Sequence, residues 1–271
     1  MIAFLSTRVG STFRTASIVA LCICAGAAVA VGAATAAKSC PDVVVVGARG
    51  SGQNGKKELA DTKRMGGEVF AIAKSLRSKL EADDESVKLI GVPYEAASVD
   101  VLKAGKLDEY TKSIEEGAQM TRDQVVTWAY SCEDTDLVLV GYSQGAIAIH
   151  RALLILQAEN DPTALDSLLG AIVLADGDRV PTTQAKHFGS SKDDASGVRT
   201  YLHASDEQDF PDPEVVVDIC DKQDIVCDFN VTNARKHAKS GAAVHTGYLK
   251  RDGGKLLRRA ASWFYREFLG E

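Results

Sequence analysis

The chain has 271 residues, 45% of them hydrophobic and 25% charged, with a formal charge of −6. This is an ordinary globular composition, long enough for one large domain or two small ones, and no low-complexity tract or Pro/Ser-rich linker divides it. The acidic balance, read without a basic cluster to offset it, argues against nucleic acid and against an anionic bilayer as main partners.

Arg8 and Arg14 precede an apolar run over 18–34, and Ala34-Thr35-Ala36 offers a small-residue cleavage site. A basic start, an apolar centre and an A-x-A site predict a secretory signal peptide over 1–37, with the folded domain over 38–271. Its removal takes away two basic residues and no acidic one, so −6 becomes −8. Of six cysteines, Cys22 and Cys24 leave with that segment. Cys40, Cys132, Cys220 and Cys227 remain, an even number in an oxidising compartment. Cys220 and Cys227 are close enough to staple one loop, which leaves Cys40 for Cys132. The second bridge closes a long loop, for which the chain-entropy estimate is roughly 4 kcal/mol. A zinc site is the rival, but no C-x-x-C spacing or neighbouring ligand histidines support it.

Val43-Val44-Val45-Val46, between Asp42 and Gly47, predicts a strand buried on both faces. Apolar residues recur at helical spacing over 59–80, and 87–92 reads as a second strand ended by Pro93. A helix is predicted over 110–130, a third strand over 136–140, and a helix over 146–156. Further strands are expected at 169–174 and 215–219, and an amphipathic helix at 254–269. Strands alternating with helices imply a parallel, doubly wound α/β sheet, whose sites lie at the C-terminal strand ends. The interval 177–213 has the least regular pattern; it is either mobile or a rim over the site.

The third strand runs directly into Gly141-Tyr142-Ser143-Gln144-Gly145, and a helix follows at once. G-x-S-x-G in a strand–turn–helix context is a nucleophile elbow. The turn is too tight for a side chain at either glycine, and it lifts the Ser143 hydroxyl above the sheet. The helix N-terminus behind it supplies free N–H groups for an oxyanion. A serine needs a base, and the base an orienting acid. Of the five histidines, His150 sits two turns into the helix and reads as structural. His187 and His203 fall in the irregular interval, ahead of any acid after the last strand, against the usual order Ser, acid, His. His237 and His245 remain as bases. For the acid, Asp224 lies inside the Cys220–Cys227 loop, with Asp221, Asp228, Asp176 and Asp178 as rivals.

Gly50-Ser51-Gly52-Gln53-Asn54-Gly55 also matches G-x-G-x-x-G, and Gly50 to Lys56 matches G-x-x-x-x-G-K. The P-loop reading fails because Lys57 stands where a Ser or Thr must hold magnesium. The dinucleotide reading lacks a clear helix opening at the third glycine, and Glu95 lies beyond Pro93. The same loop suits an oxyanion hole, in which the N–H and hydroxyl of Ser51 meet the N–H of Gln144.

Taken together, Cys40-Pro41-Asp42, Ala48-Arg49-Gly50-Ser51, Gly141-Tyr142-Ser143-Gln144-Gly145, Cys220-Asp221-Lys222-Gln223-Asp224-Ile225-Val226-Cys227 and His245-Thr246-Gly247-Tyr248 resemble the cutinases over about residues 39–269. The resemblance implies a three-layer α/β/α sandwich with a five-stranded parallel sheet, no true lid, no cofactor and no metal. It implies Ser143 as nucleophile, Asp224 as acid, His245 as base, and Ser51 with Gln144 as the oxyanion hole. It also implies disulfides Cys40–Cys132 and Cys220–Cys227. The expected function is a secreted serine carboxylesterase acting on lipid or polyester esters, with acyl transfer to an envelope sugar or glycolipid alcohol as the alternative. The expected partners are the ester substrate and a transient lipid or cell-envelope surface, with the protein acting as a monomer. The interval 177–213 is longer than in compact fungal members and resembles the bacterial, cell-envelope branch, and the stretch between Asp224 and His245 is also longer.

Overall fold

A run of four valines has no polar face to offer solvent, and β1 (Val43–Ala48) is buried along its whole length. In the computed structural model, which describes residues 40–199 and 208–270, β1 lies between β2 (Val87–Gly91) and β3 (Asp136–Tyr142). Beyond β3 come β4 (Leu168–Leu174), β6 (Val216–Ile219) and the three-residue edge strand β5 (Lys186–Phe188). All five pairings are parallel, and the order is β2-β1-β3-β4-β6-β5. The sequence leads to five strands; the described residues form six. Lys186-His187-Phe188 is too short and too polar to announce itself, and it becomes a strand only because β6 offers it a free edge.

Period-two alternation sorts the strand residues into two cores. Val45, Val138, Val140, Ile172, Leu174, Val217 and Ile219 point to one side. There they meet Val69, Ile72 and Leu76 of α2 (Gly67–Leu80) and Leu257, Ala260 and Phe264 of α8 (Lys255–Phe264). Val44, Val46, Leu139, Ala171 and Val173 point to the other side, against Val125 of α4 (Leu107–Ser131) and Ile149, Leu153 and Leu156 of α5 (Gln144–Glu159). The result is a three-layer α/β/α sandwich.

The expected helix over 59–80 is divided into α1 (Lys56–Asp61) and α2. Lys63, Arg64 and Gly66 take positive φ between the two, a conformation no helix can pass through. The short helices α3 (Val99–Lys103) and α6 (Pro162–Asp166) start at Ser98 and Asp161, whose side chains accept N–H groups of their first turns. A longer helix, α7 (Val231–His245), fills the stretch before His245. Its Asn, Lys and Ser content hides it from a periodicity reading. The last helix ends at Phe264 and continues as one wider turn over Tyr265–Leu269.

The described part of 177–213 is packed rather than loose. Arg179 is 1% exposed and bonds Asp218 Oδ2 at 2.7 Å and the carbonyl of Ala195 at 2.7 Å. Disulfides join Cys40 to Cys132 and Cys220 to Cys227, so all four of these sulfurs are consumed and none is a thiolate for a metal.

Candidate active site

The strand order reverses between β1 and β3, and in such sheets the crevice opens beyond the carboxyl ends of the two strands that flank the reversal. Both loops singled out by the sequence leave from there. β3 ends at Tyr142, Ser143 follows with φ 54° and ψ −118°, and α5 begins at Gln144. A non-glycine residue in that region is strained, and it is held there by its surroundings. A Cβ on Gly141 would stand 2.6 Å from the Gly145 carbonyl oxygen, and one on Gly145 would stand 2.1 Å from that of Ala48. The elbow is therefore clamped between its own helix and the end of β1.

Ser143 Oγ lies 2.9 Å from His245 Nε2. His245 Nδ1 lies 3.0 and 3.1 Å from the two carboxylate oxygens of Asp224. The tautomer with hydrogen on Nδ1 makes the imidazole a donor to Asp224 and an acceptor for the serine hydroxyl. Asp224 is fully buried, and its Oδ1 also accepts the N–H groups of Val226 at 2.7 Å and Cys227 at 3.3 Å. The disulfide loop that the sequence marks thus wraps its own carboxylate. His245 is the last residue of α7, and its ring stacks on Tyr142 with centroids 5.3 Å apart. Tyr142 in turn donates to the His245 carbonyl at 2.9 Å.

Tyr248 donates to Asp224 Oδ2 at 2.8 Å and accepts the N–H of Asp221 at 2.9 Å. Burial, and then the charge of Asp224, push its phenol well above the ordinary range, so it stays a donor. The H-x-x-Y spacing flags this tyrosine but not the hydrogen bond it makes.

Each rival acid is engaged elsewhere. Asp176 meets His150 Nδ1 at 2.7 Å. Asp178 meets Arg151 at 3.0 Å and Arg199 at 3.4 Å. Asp221 accepts from Ser190 and pairs with Arg251 at 3.0 Å, and Asp228 accepts the N–H of Gln223. His150 is buried as the sequence suggests, its Nε2 3.0 Å from the Gln208 carbonyl and its ring stacked on Phe210. His187 sits on β5, 3.0 Å from Asp218 and 3.2 Å from Ser191. His237 lies two turns ahead of His245 on α7, and His203 falls outside the described residues.

The Ser51 loop is anchored by Arg49, which is 2% exposed and donates to Asn54 Oδ1 at 2.7 and 3.0 Å and to the Val92 carbonyl at 3.2 Å. Arg49 and Tyr94 also bond each other's carbonyls. Ser51 Oγ lies 2.5 Å from Tyr110 Oη. Nothing in the sequence links residues 51 and 110, so this contact is a product of the fold. A helix does open after Gly55, contrary to the sequence reading. The loop's N–H groups are nonetheless turned inward: Gly50 to Gln53 Oε1, Gly52 to Ala96, Gln53 to Gly50 and Asn54 to Gly52. They form no phosphate cradle.

The sequence profile of the family described as Cutinase matches residues 39–255. A protein of Corynebacterium glutamicum described as a carboxylesterase Culp6 homolog is 26% identical over 144 residues, 52% of this chain and 46% of that one. A cutinase of Botryotinia fuckeliana is 34% identical over 123 residues, 45% of this chain and 52% of that one. The chain thus spans about half the length of the curated relatives it matches. Among solved structures, the catalytic core domain of acetyl xylan esterase from Trichoderma reesei superposes with a TM-score of 0.58 at 20% identity, over 83% of this chain and 99% of that one.

Proposed function

The chain belongs to the cutinase family, and on that premise we propose that it is an exported serine esterase that hydrolyses carboxylic esters through a Ser143 acyl-enzyme. One observation carries the reading: an unbroken line from Ser143 Oγ to His245 Nε2 at 2.9 Å and from His245 Nδ1 to Asp224 at 3.0 Å. A hydroxyl, a neutral base and a buried acid in that order are what acyl transfer to serine requires.

In the first step His245 takes the Ser143 proton as Oγ adds to the ester carbonyl, and the buried Asp224 carboxylate stabilises the imidazolium. The oxyanion meets the N–H of Gln144 at the start of α5, where helix N–H groups lack internal partners, together with the Ser51 hydroxyl. Collapse expels the alcohol, protonated by His245. Water then adds to the acyl-enzyme with His245 again as base, and carboxylic acid leaves. Asp224 keeps its charge throughout.

Lipid or polyester esters are the substrate class. The support is an apolar rim: Val99, Leu102 and Leu107 are 46%, 38% and 55% exposed on the segment that begins at Ser98, which packs on Gly52 of the Ser51 loop. Residues 1–37 are read as a secretory leader, and two disulfides suit an exported domain.

The test is hydrolysis of p-nitrophenyl esters from acetate to palmitate by the purified, disulfide-bonded protein beside Ser143→Ala. Turnover by the parent that falls to background in the variant supports the reading, and the chain-length profile gives the acyl preference. Equal rates in both proteins would overturn it.

A further inference from the structure

An open groove of about 1080 Å3 runs between β5 and α8. Tyr248 and Asp221 line it; Ser143, His245 and Asp224 do not. On the α8 side, Lys255, Arg258, Arg259 and Arg266 recur at helical spacing on the face opposite the buried Leu257, Ala260, Ala261 and Phe264. They form a stripe roughly 16 Å long at 1.5 Å per residue. Lys186 faces them from β5, and Arg251 stands in the lining between. The groove thus gathers six cations against two carboxylates, Asp221 and Asp252, in a chain whose net charge is −6. The sequence reading, which saw an acidic domain without a basic cluster, is corrected here: the cluster's residues come from two segments, and folding brings them together.

Only part of this charge is balanced locally. Arg251 is paired with Asp221 at 3.0 Å, and Arg258 donates to the Gly253 carbonyl at 2.5 Å. Among the described residues, Lys255, Arg259 and Arg266 meet no carboxylate within ion-pair distance, and all three are exposed. Like charges one turn apart repel, and guanidinium forks bind oxyanions in bidentate fashion. A row of oxyanions along the groove would relieve the repulsion and fill the forks.

We propose that this groove binds a flexible chain bearing closely spaced phosphate groups, at a site separate from the esterase centre. Two other polyanions fit less well. Single-stranded nucleic acid needs a bare aromatic face on which bases stack. Here the Trp263 ring has Lys186 Nζ 5.4 Å from its centre, Phe188 at 6.1 Å and the edge contact of Phe268 at 5.8 Å. An anionic bilayer presents a broad surface, whereas here Lys186 on β5 faces the α8 cations across a concavity, which a single chain can enter.

The experiment is calorimetric titration of the full protein with inorganic polyphosphate about fifteen units long, at about 50 and about 200 mM salt, where a multiply charged contact weakens steeply. The groove variant is Arg258→Gln with Arg259→Gln, both exposed, and the control is Lys74→Gln with Lys112→Gln, also exposed, which removes equal charge elsewhere. Loss of at least tenfold affinity in the groove variant, a change within twofold in the control, and unchanged ester hydrolysis in both are the expected results; the last also certifies folding. Absence of binding by the parent, or equal loss in both variants, would overturn the proposal. So would tighter binding, at equal phosphate, of phosphatidylglycerol vesicles or an oligothymidylate that the groove variant abolishes, and it would assign the groove to a membrane or to nucleic acid.

Discussion

Tyr248 places its hydroxyl 2.8 Å from Asp224 Oδ2, on the carboxylate that also faces His245. A buried carboxylate left short of donors turns toward whatever remains, and the imidazole it orients turns with it. Tyr248→Phe removes the oxygen and keeps the ring. The expected result is a fall in kcat on the order of tenfold with KM within about twofold, the pattern of an effect on the transition state alone. Steady-state kinetics on a short p-nitrophenyl ester decides it; a change confined to KM would reject the positioning role.

Ser51 and Tyr110 divide a second task. Ser51→Ala deletes the hydroxyl proposed to meet the oxyanion and is expected to lower kcat by about 10²–10³. Tyr110→Phe deletes only the hydroxyl 2.5 Å from Ser51 Oγ, and a smaller loss, on the order of tenfold, is expected. A double variant no worse than Ser51→Ala would show that Tyr110 acts through Ser51. Additive losses would separate the two residues.

Asp224→Asn and Asp176→Asn are expected to part company although both carboxylates are fully buried beside a histidine. The first should cost on the order of 10⁴ in kcat, through the wrong imidazole tautomer. The second should leave kcat within a few-fold and lower stability, since Asp176 bonds His150 and accepts the Asp178 N–H at 3.0 Å, and neither partner belongs to the Ser143–His245–Asp224 line. Esterase rates and urea midpoints on both variants make the comparison.

His150 gives stability a pH dependence. Burial alone would push its imidazole down; the Asp176 carboxylate, aided by Asp178, outweighs burial and raises it above its ordinary 6.5. A group raised in the folded state binds its proton more tightly there than in the unfolded chain. Its contribution is therefore complete below about 6.5 and is lost as pH climbs through the raised folded value. The urea midpoint of the parent should fall over that range, and His150→Gln should flatten the slope. An unchanged slope in the variant would exclude His150 as its source.

The two disulfides should fail differently. Cys40–Cys132 closes a loop with a sequence separation of 92, Cys220–Cys227 one of only 7. Chain entropy gives about 4.6 kcal/mol for the first and about 2.5 kcal/mol for the second. Paired Cys→Ser changes should thus cost more stability at Cys40/Cys132 but more activity at Cys220/Cys227, whose loop holds Asp224. Melting curves and kcat together test this crossing pattern.

Local and sequential features were legible from the residues alone. The Val43–Val46 run dictates a doubly buried strand, because nothing in it tolerates water. G-Y-S-Q-G between strand and helix dictates an elbow, because only glycine fits where backbone passes backbone. Cysteines seven apart dictate a staple around Asp224. Tertiary structure decided what depends on residues far apart in the chain. Residue types alone left several acids open, and the fold separates three of the four rivals by giving each a partner from another segment: His150 for Asp176, Arg151 and Arg199 for Asp178, Arg251 for Asp221. The same holds for the Tyr110 contact with Ser51, the edge strand Lys186–Phe188, and the basic groove, whose walls come from β5 and α8. Hydrophobic period and turn chemistry act over a few residues and can be read one segment at a time. A hydrogen bond or a field between side chains depends on distance in space, and folding alone sets that distance.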